Sequence, residues 1–197
     1  MKSRNTTLLI ILGVIVLLGG FACTKYNGLV TADVDVQKVW SNVETNYQRR
    51  TDLYSSVIKT IEGSANFEKS TLKEVMAARA SATQVKVDIN DPATLAKYQA
   101  AQGQLQSAFG RLMAVAEAYP DLKTTKSFQD FQAQIEGTEN RINVARQDFN
   151  KSVEGFNLKV RTFPNNIFAG IFGFKVKEFY KADAGSEKAP EIDFNIK

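Results

Sequence analysis

The 197-residue chain has no histidine, one cysteine, one tryptophan and only four prolines. Without His, the Ser-His-Asp and Cys-His nucleophile systems cannot be assembled in their usual form. Imidazole zinc sites and the Glu-x-x-His pairs of di-iron bundles are excluded as well. A lone cysteine, Cys23, cannot close an internal disulfide, so it does not report the redox compartment. The sequence also lacks a P-loop, a dinucleotide-binding fingerprint and a cluster of metal ligands. Runs of roughly five or more like charges are absent too. The net charge of +4 comes from 25 basic residues scattered among 21 acidic ones, a pattern of solvated helix surfaces rather than of a nucleic-acid patch. Carboxylates such as Glu117 and Asp121 fall near a helix end, where water solvates them. Nothing in the pattern signals the cleft that a glycosidase-like carboxylate pair needs. No enzymatic activity, cofactor or nucleic-acid partner is expected.

What the chain does contain is helix, preceded by a membrane-length apolar run. Residues 1–6 form a short segment with Lys2 and Arg4. The sequence is then uncharged from Asn5 to Thr24, with an apolar centre from Leu8 to Ala22. A span needs roughly 20 apolar residues, with a range of about 17–25, so 7–23 suffices as a transmembrane anchor. Three fates are compatible with it: a retained single-pass anchor, a lipoprotein signal lipidated at Cys23, or ordinary cleavage after Ala22. Gly20 and Phe21 fit a lipidation signal poorly. The basic residues before the span, set against Lys25 and Lys38 after it, lean towards a cytoplasmic N-terminus and a body on the outer, periplasmic side.

Asn27-Gly28 is a turn signal that would break the helix at the membrane surface, with Asp33 as the N-cap of the next helix. From there Val36, Trp40, Val43, Tyr47, Tyr54, Val57 and Ile61 recur at alternating four- and three-residue spacings, the seam of a packed bundle. Arg50 occupies a slot in that seam. A lone buried guanidinium is costly, so Arg50 must either snorkel to the edge or meet a carboxylate from another helix. Gly63 is a possible break. A second helix carries Leu72, Val75, Met76 and Ala80, and fades into a loop over 83–90. Asp91-Pro92 restarts a third as cap and first helical residue, with Leu95, Tyr98, Leu105, Phe109, Leu112 and Ala116 on its seam and Gln102 in the gap. Tyr119-Pro120 closes it. Ser127 with Asp130 reads as a variant capping box opening the last long helix, whose seam runs from Phe128 to Val160 and which Phe163-Pro164 ends. Asn140, Asn150 and Asn157 on this helix suit interhelical hydrogen bonds or a polar outer face.

The fold expected is therefore all-α: an N-terminal transmembrane helix, then an antiparallel four-helix bundle over 26–180 with a short C-terminal apolar segment, and a polar tail over 181–197. The apolar segment, Ile167 to Phe174, would fold back on one end of the bundle or touch the bilayer surface or a partner.

Several motifs carry a family resemblance. They are Tyr26-Asn27-Gly28-Leu29-Val30, Val39-Trp40-Ser41-Asn42-Val43, and Tyr47-Gln48-Arg49-Arg50-Thr51-Asp52-Leu53. Further on stand Ala78-Arg79-Ala80, Ala118-Tyr119-Pro120-Asp121-Leu122, Glu136-Gly137-Thr138-Glu139-Asn140-Arg141-Ile142, Phe149-Asn150, Phe156-Asn157, Phe163-Pro164 and Gly173-Phe174. In order and spacing the chain resembles the LemA family from Tyr26 to Phe174. The resemblance implies a bacterial membrane-associated protein with a transmembrane helix and a four-helix bundle, and no settled activity. Two departures stand out: Tyr54-Ser55-Ser56-Val57-Ile58 replaces the usual Ile-Pro-Asn-Leu-Val, and Phe67-Glu68 stands where His-Glu is common.

The polar constellation worth following joins Arg49, Arg50 and Asp52 on the first bundle helix to Glu136, Glu139 and Arg141 on the last. It would be an ion-pair network setting helix register, or a recognition site for a partner or small anion. The function expected is a membrane-anchored, non-enzymatic scaffold or adaptor of the bacterial envelope with an envelope protein partner. The alternatives are a lipoprotein attached through Cys23, or a ligand-sensing bundle with a cavity near Arg50, Gln102 and Thr138.

Overall fold

The computed structural model describes residues 2–62 and 69–181, with side chains from residue 8 onward apart from that of Lys123. Gly63, the Phe67-Glu68 pair and the tail from residue 182 lie outside the described residues. Among the described residues six helices follow in order: α1 (Lys2–Glu62), α2 (Lys69–Gln84), α3 (Pro92–Ala116), α4 (Pro120–Lys123), α5 (Lys126–Arg161) and α6 (Asn165–Phe172). Among the described residues there is no strand. The fold is all-α.

The main correction concerns the start. Asn27-Gly28 does not break the chain, because α1 is one uninterrupted helix of 61 residues. A single helical Gly costs only about 1 kcal/mol, and its neighbours offset that. Leu29 is buried, and the Tyr26 ring packs edge-on against Phe172 at 4.9 Å. Asp33 is consequently mid-helix and caps nothing. Its side chain accepts from Gln37 and pairs with Lys177 instead.

Along α1 the environment changes. Every large apolar side chain from Leu8 to Leu18 is exposed, whereas Leu29, Val36, Trp40, Val43 and Tyr47 are buried. Among the described residues α1 is the one helix long and apolar enough to cross a membrane.

The chain divides into two compact units. Of the described residues, one takes α1 up to Tyr47 together with 140–179, and the other takes those of 48–139 with Tyr180 and Lys181. In the first unit Trp40 meets Phe149 edge-on at 5.1 Å. The seam of α5 there buries Ile142, Phe149, Val153 and Phe156. In the second, Tyr54, Val57 and Ile61 of α1 join Leu72 and Val75 of α2, Leu105, Phe109 and Leu112 of α3, and Phe128 of α5 in one core. Each such side chain, fully buried, stabilises by about 1.5–3 kcal/mol relative to exposure.

Local signals set the remaining ends. Asp91 caps α3, its Oδ1 accepting from the Ala93 N–H at 2.9 Å, with Pro92 at the first helical position. The capping box at Ser127 is not the one used. Helix α5 begins one residue earlier, and Thr125 Oγ1 accepts from the Phe128 N–H at 3.3 Å. Gly173 ends α6 with φ 78°, a left-handed conformation that suits glycine.

Candidate functional site

Arg50 is placed by the α1 seam and buried completely. Its Nη2 donates to Gln102 Oε1 at 2.6 Å and to the Gln102 carbonyl at 3.2 Å. Its Nη1 lies 3.4 Å from Glu139 Oε1. The Tyr54 hydroxyl donates to that same carboxylate oxygen at 3.2 Å, and the Tyr54 ring stacks on Phe109 at 3.5 Å. Three helices, α1, α3 and α5, are thus tied through one guanidinium.

The electrostatics follow from burial. Arg50 is 1% exposed at the side chain and Glu139 is 25% exposed, so the cation is enclosed while its carboxylate partner keeps contact with water. The two Gln102 oxygens accept from Nη2, beyond what the carboxylate takes. Burial pushes the Tyr54 hydroxyl well above the usual phenol range; the nearby Arg50 charge opposes this, while Glu139 adds to it.

The other residues of the expected constellation go elsewhere. Arg49 and Asp52 are exposed, and Asp52 Oδ1 accepts from Gln48 Nε2 one turn earlier at 2.9 Å. Glu136 is exposed at the rim of a hollow of about 240 Å³ lined also by Tyr54, Gln106, Phe109 and Glu139. Arg141 lies in the first unit. There it borders an open groove of about 360 Å³ with Val39, Asn42, Asn46, Val144 and Asp148. Thr138 is buried and donates to the Gln134 carbonyl at 2.7 Å. Cys23 is exposed on α1. Among the described residues no group of three potential metal ligands converges.

A second polar cluster, in the first unit, was not anticipated. Lys177 Nζ lies 2.7 Å from Asp33 Oδ1 and 5.0 Å from the centre of the Phe156 ring. Asn157 holds the same residue by its backbone: Nδ2 donates to the Lys177 carbonyl and Oδ1 accepts from the Lys177 N–H, each at 2.8 Å. In the same unit Tyr47 accepts from Arg146 Nε at 2.8 Å. The Asn157 signal was visible as a polar residue beside the α5 seam, but its partner lies in irregular backbone with no period to betray it.

These arrangements join helices. The hollow of about 240 Å³ is lined by Tyr54 and Glu139, and Arg50, Gln102 and Thr138 are not among its lining residues.

Curated proteins of two names match most of this chain. Magnetosome protein MamQ 2 of Paramagnetospirillum magneticum is 28% identical over 178 residues, covering 80% of this chain and 65% of that protein. Magnetosome protein MamQ of Magnetospirillum gryphiswaldense is 26% identical over 181 residues, covering 82% and 66%. Protein LemA of Metamycoplasma hominis is 28% identical over 145 residues, covering 74% and 64%. The chain spans just under two thirds of the length of these relatives. The LemA family profile matches residues 39–194, which include the α1 seam from Trp40 onward, both polar clusters' α5 residues and α6; the chain belongs to the LemA family.

Proposed function

We propose that this protein is a non-enzymatic scaffold or adaptor tethered to the bacterial cell membrane by the N-terminal part of α1. The observation that carries the tether is the change of environment along that helix. Leu8 to Leu18 are exposed around the whole circumference, and from Leu29 the same helix turns one face into a packed core. Exposed apolar surface on every side of about ten consecutive residues is stable only in lipid. The body lies on the outer side, following the basic residues before the span. Anchor and first bundle helix are continuous, so the first unit is held close to the bilayer without a flexible linker.

The adaptor reading is supported by what the side chains do. Arg50 and Lys177 act as internal ties between elements. The charges left exposed on α1 and α5, among them Arg49, Asp52, Glu136 and Arg141, are free to meet a partner. The test is cross-linking and pull-down from native membranes with the intact chain and an Arg49→Ala, Arg141→Ala variant, both checked for helicity. An envelope protein captured reproducibly by the first and lost from the folded variant supports the adaptor. No specific partner in either sample contradicts it.

A further inference from the structure

The corner between α5 and α6 has an apolar surface left exposed among the described residues. Phe163 is 75% exposed, Ile167 51% and Ile171 70%. In an eight-residue helix the 3.6-residue period sets Phe168, Ala169 and Phe172 on one side and Ile167 and Ile171 on the other. The first side is occupied: Phe168 meets Phe21 of α1 at 5.7 Å, Phe172 meets Tyr26 at 4.9 Å, and Ala169 is buried. The second side is equally apolar and faces outward.

The two ring contacts also give the level of α6 along α1. Phe21 is at the end of the apolar run and Tyr26 lies beyond it. Phe168 is level with the former and Phe172 with the latter, so α6 runs beside α1 in the same sense. Its N-terminal end, with Phe163 just before it, therefore points back towards the apolar run. The stretch of chain that forms this corner, between the acidic residues Glu154 and Glu178, carries charges of one sign. Between Gly155 and Lys177 every charged residue is basic (Lys159, Arg161, Lys175 and Lys177), and on α1 no acid precedes Asp33, which is itself paired to Lys177.

We infer that the α5–α6 corner is a second membrane contact: Phe163, Ile167 and Ile171 enter the interfacial layer of the bilayer, and Lys159, Arg161 and Lys175 meet anionic lipid headgroups. A short apolar face with a basic border is the composition of an interfacial helix, and basic residues near an anionic surface are attracted to it. The inference rests on the tether proposed above. The contact would fix the angle at which the first unit stands on the membrane, because a single spanning helix leaves that angle free.

The test uses the full chain in vesicles of phosphatidylcholine with phosphatidylglycerol. Cys23→Ser removes the native thiol, and an environment-sensitive fluorophore is placed at Ile167→Cys, at Ile171→Cys in a second protein, and at Ile15→Cys as the reference for the span. Quenchers are lipids labelled near the headgroup or at the chain end, and aqueous iodide. The expected result is quenching at both α6 positions about twofold stronger from the shallow lipid label than from the deep one, as for a face roughly 5–10 Å into the boundary, with little effect of iodide. The Ile15 probe answers chiefly to the deep label. Iodide quenching at both α6 positions with lipid quenching at Ile15 overturns the second contact and leaves the tether standing. Protection from both iodide and lipid at α6 also overturns it, since a protein then covers the face. Loss of lipid quenching at Ile15 as well overturns the tether and the second contact together.

Discussion

Asp33 and Lys177, far apart in the chain, form an ion pair of 2.7 Å in which the ammonium is almost wholly enclosed and the carboxylate is partly open to water. Asn157 fixes the Lys177 backbone, and Phe156 lies beneath the ammonium. The segment after α6 is thereby pinned to α1 and α5 within the first unit. Asn157→Ala removes both backbone hydrogen bonds. It is expected to cost about 2 kcal/mol at roughly 1 kcal/mol each. Amide exchange at Lys177 should accelerate in step, while Leu105 and Leu112 of the other unit stay protected.

Arg50 should be the most sensitive position in the second unit. Arg50→Ala leaves Gln102 and Glu139 without the guanidinium, and breaking a buried pair costs about 3–5 kcal/mol. Solvent contact at Glu139 puts the expected loss at about 3 kcal/mol. Exposed Arg49→Ala should change stability by less than about 0.5 kcal/mol. Urea midpoints compare the two directly, and equal shifts would contradict the tie.

Tyr54 predicts an alkaline limit. Its hydroxyl is raised in the fold, so the folded state keeps this proton where the unfolded chain, with a phenol near pKa 10, releases it. Stability is undiminished below about pH 10 and falls as the pH climbs above it. Tyr54→Phe removes the titrating group, so it should flatten this fall while costing about 1 kcal/mol near neutral pH for the lost hydrogen bond to Glu139. Thermal melts from pH 7 to pH 11 check both signs.

The lone tryptophan reports on the first unit. Trp40 is buried edge-on against Phe149. Phe149→Ala opens a cavity there and should cost about 3–5 kcal/mol. The Trp40 emission should move to the red in the folded variant, as water reaches the indole.

The seams were legible because their period is local. Val36, Trp40, Val43, Tyr47, Tyr54, Val57 and Ile61 are all buried, as their spacing required. The slot of Arg50 left two outcomes, snorkelling to the edge or a carboxylate partner, and for the second Glu136 and Glu139 stand less than a turn apart on α5. Pattern alone could not choose between them or foresee the share taken by Gln102. Asn27-Gly28 misled because turn propensity is a weak local preference, overridden here by the burial of Leu29 and the contact of Tyr26 with Phe172. The Asp33–Lys177 pair was out of reach for a different reason: no helical or strand period connects two residues brought together only by tertiary packing.

The most direct measurement is the intact mass of the protein extracted from native membranes after an alkaline carbonate wash. A retained tether predicts that the chain stays with the membrane at the full mass of 21.8 kDa. A membrane-bound chain beginning at a diacylated Cys23, or a chain beginning after Ala22 and released by the wash, would contradict it.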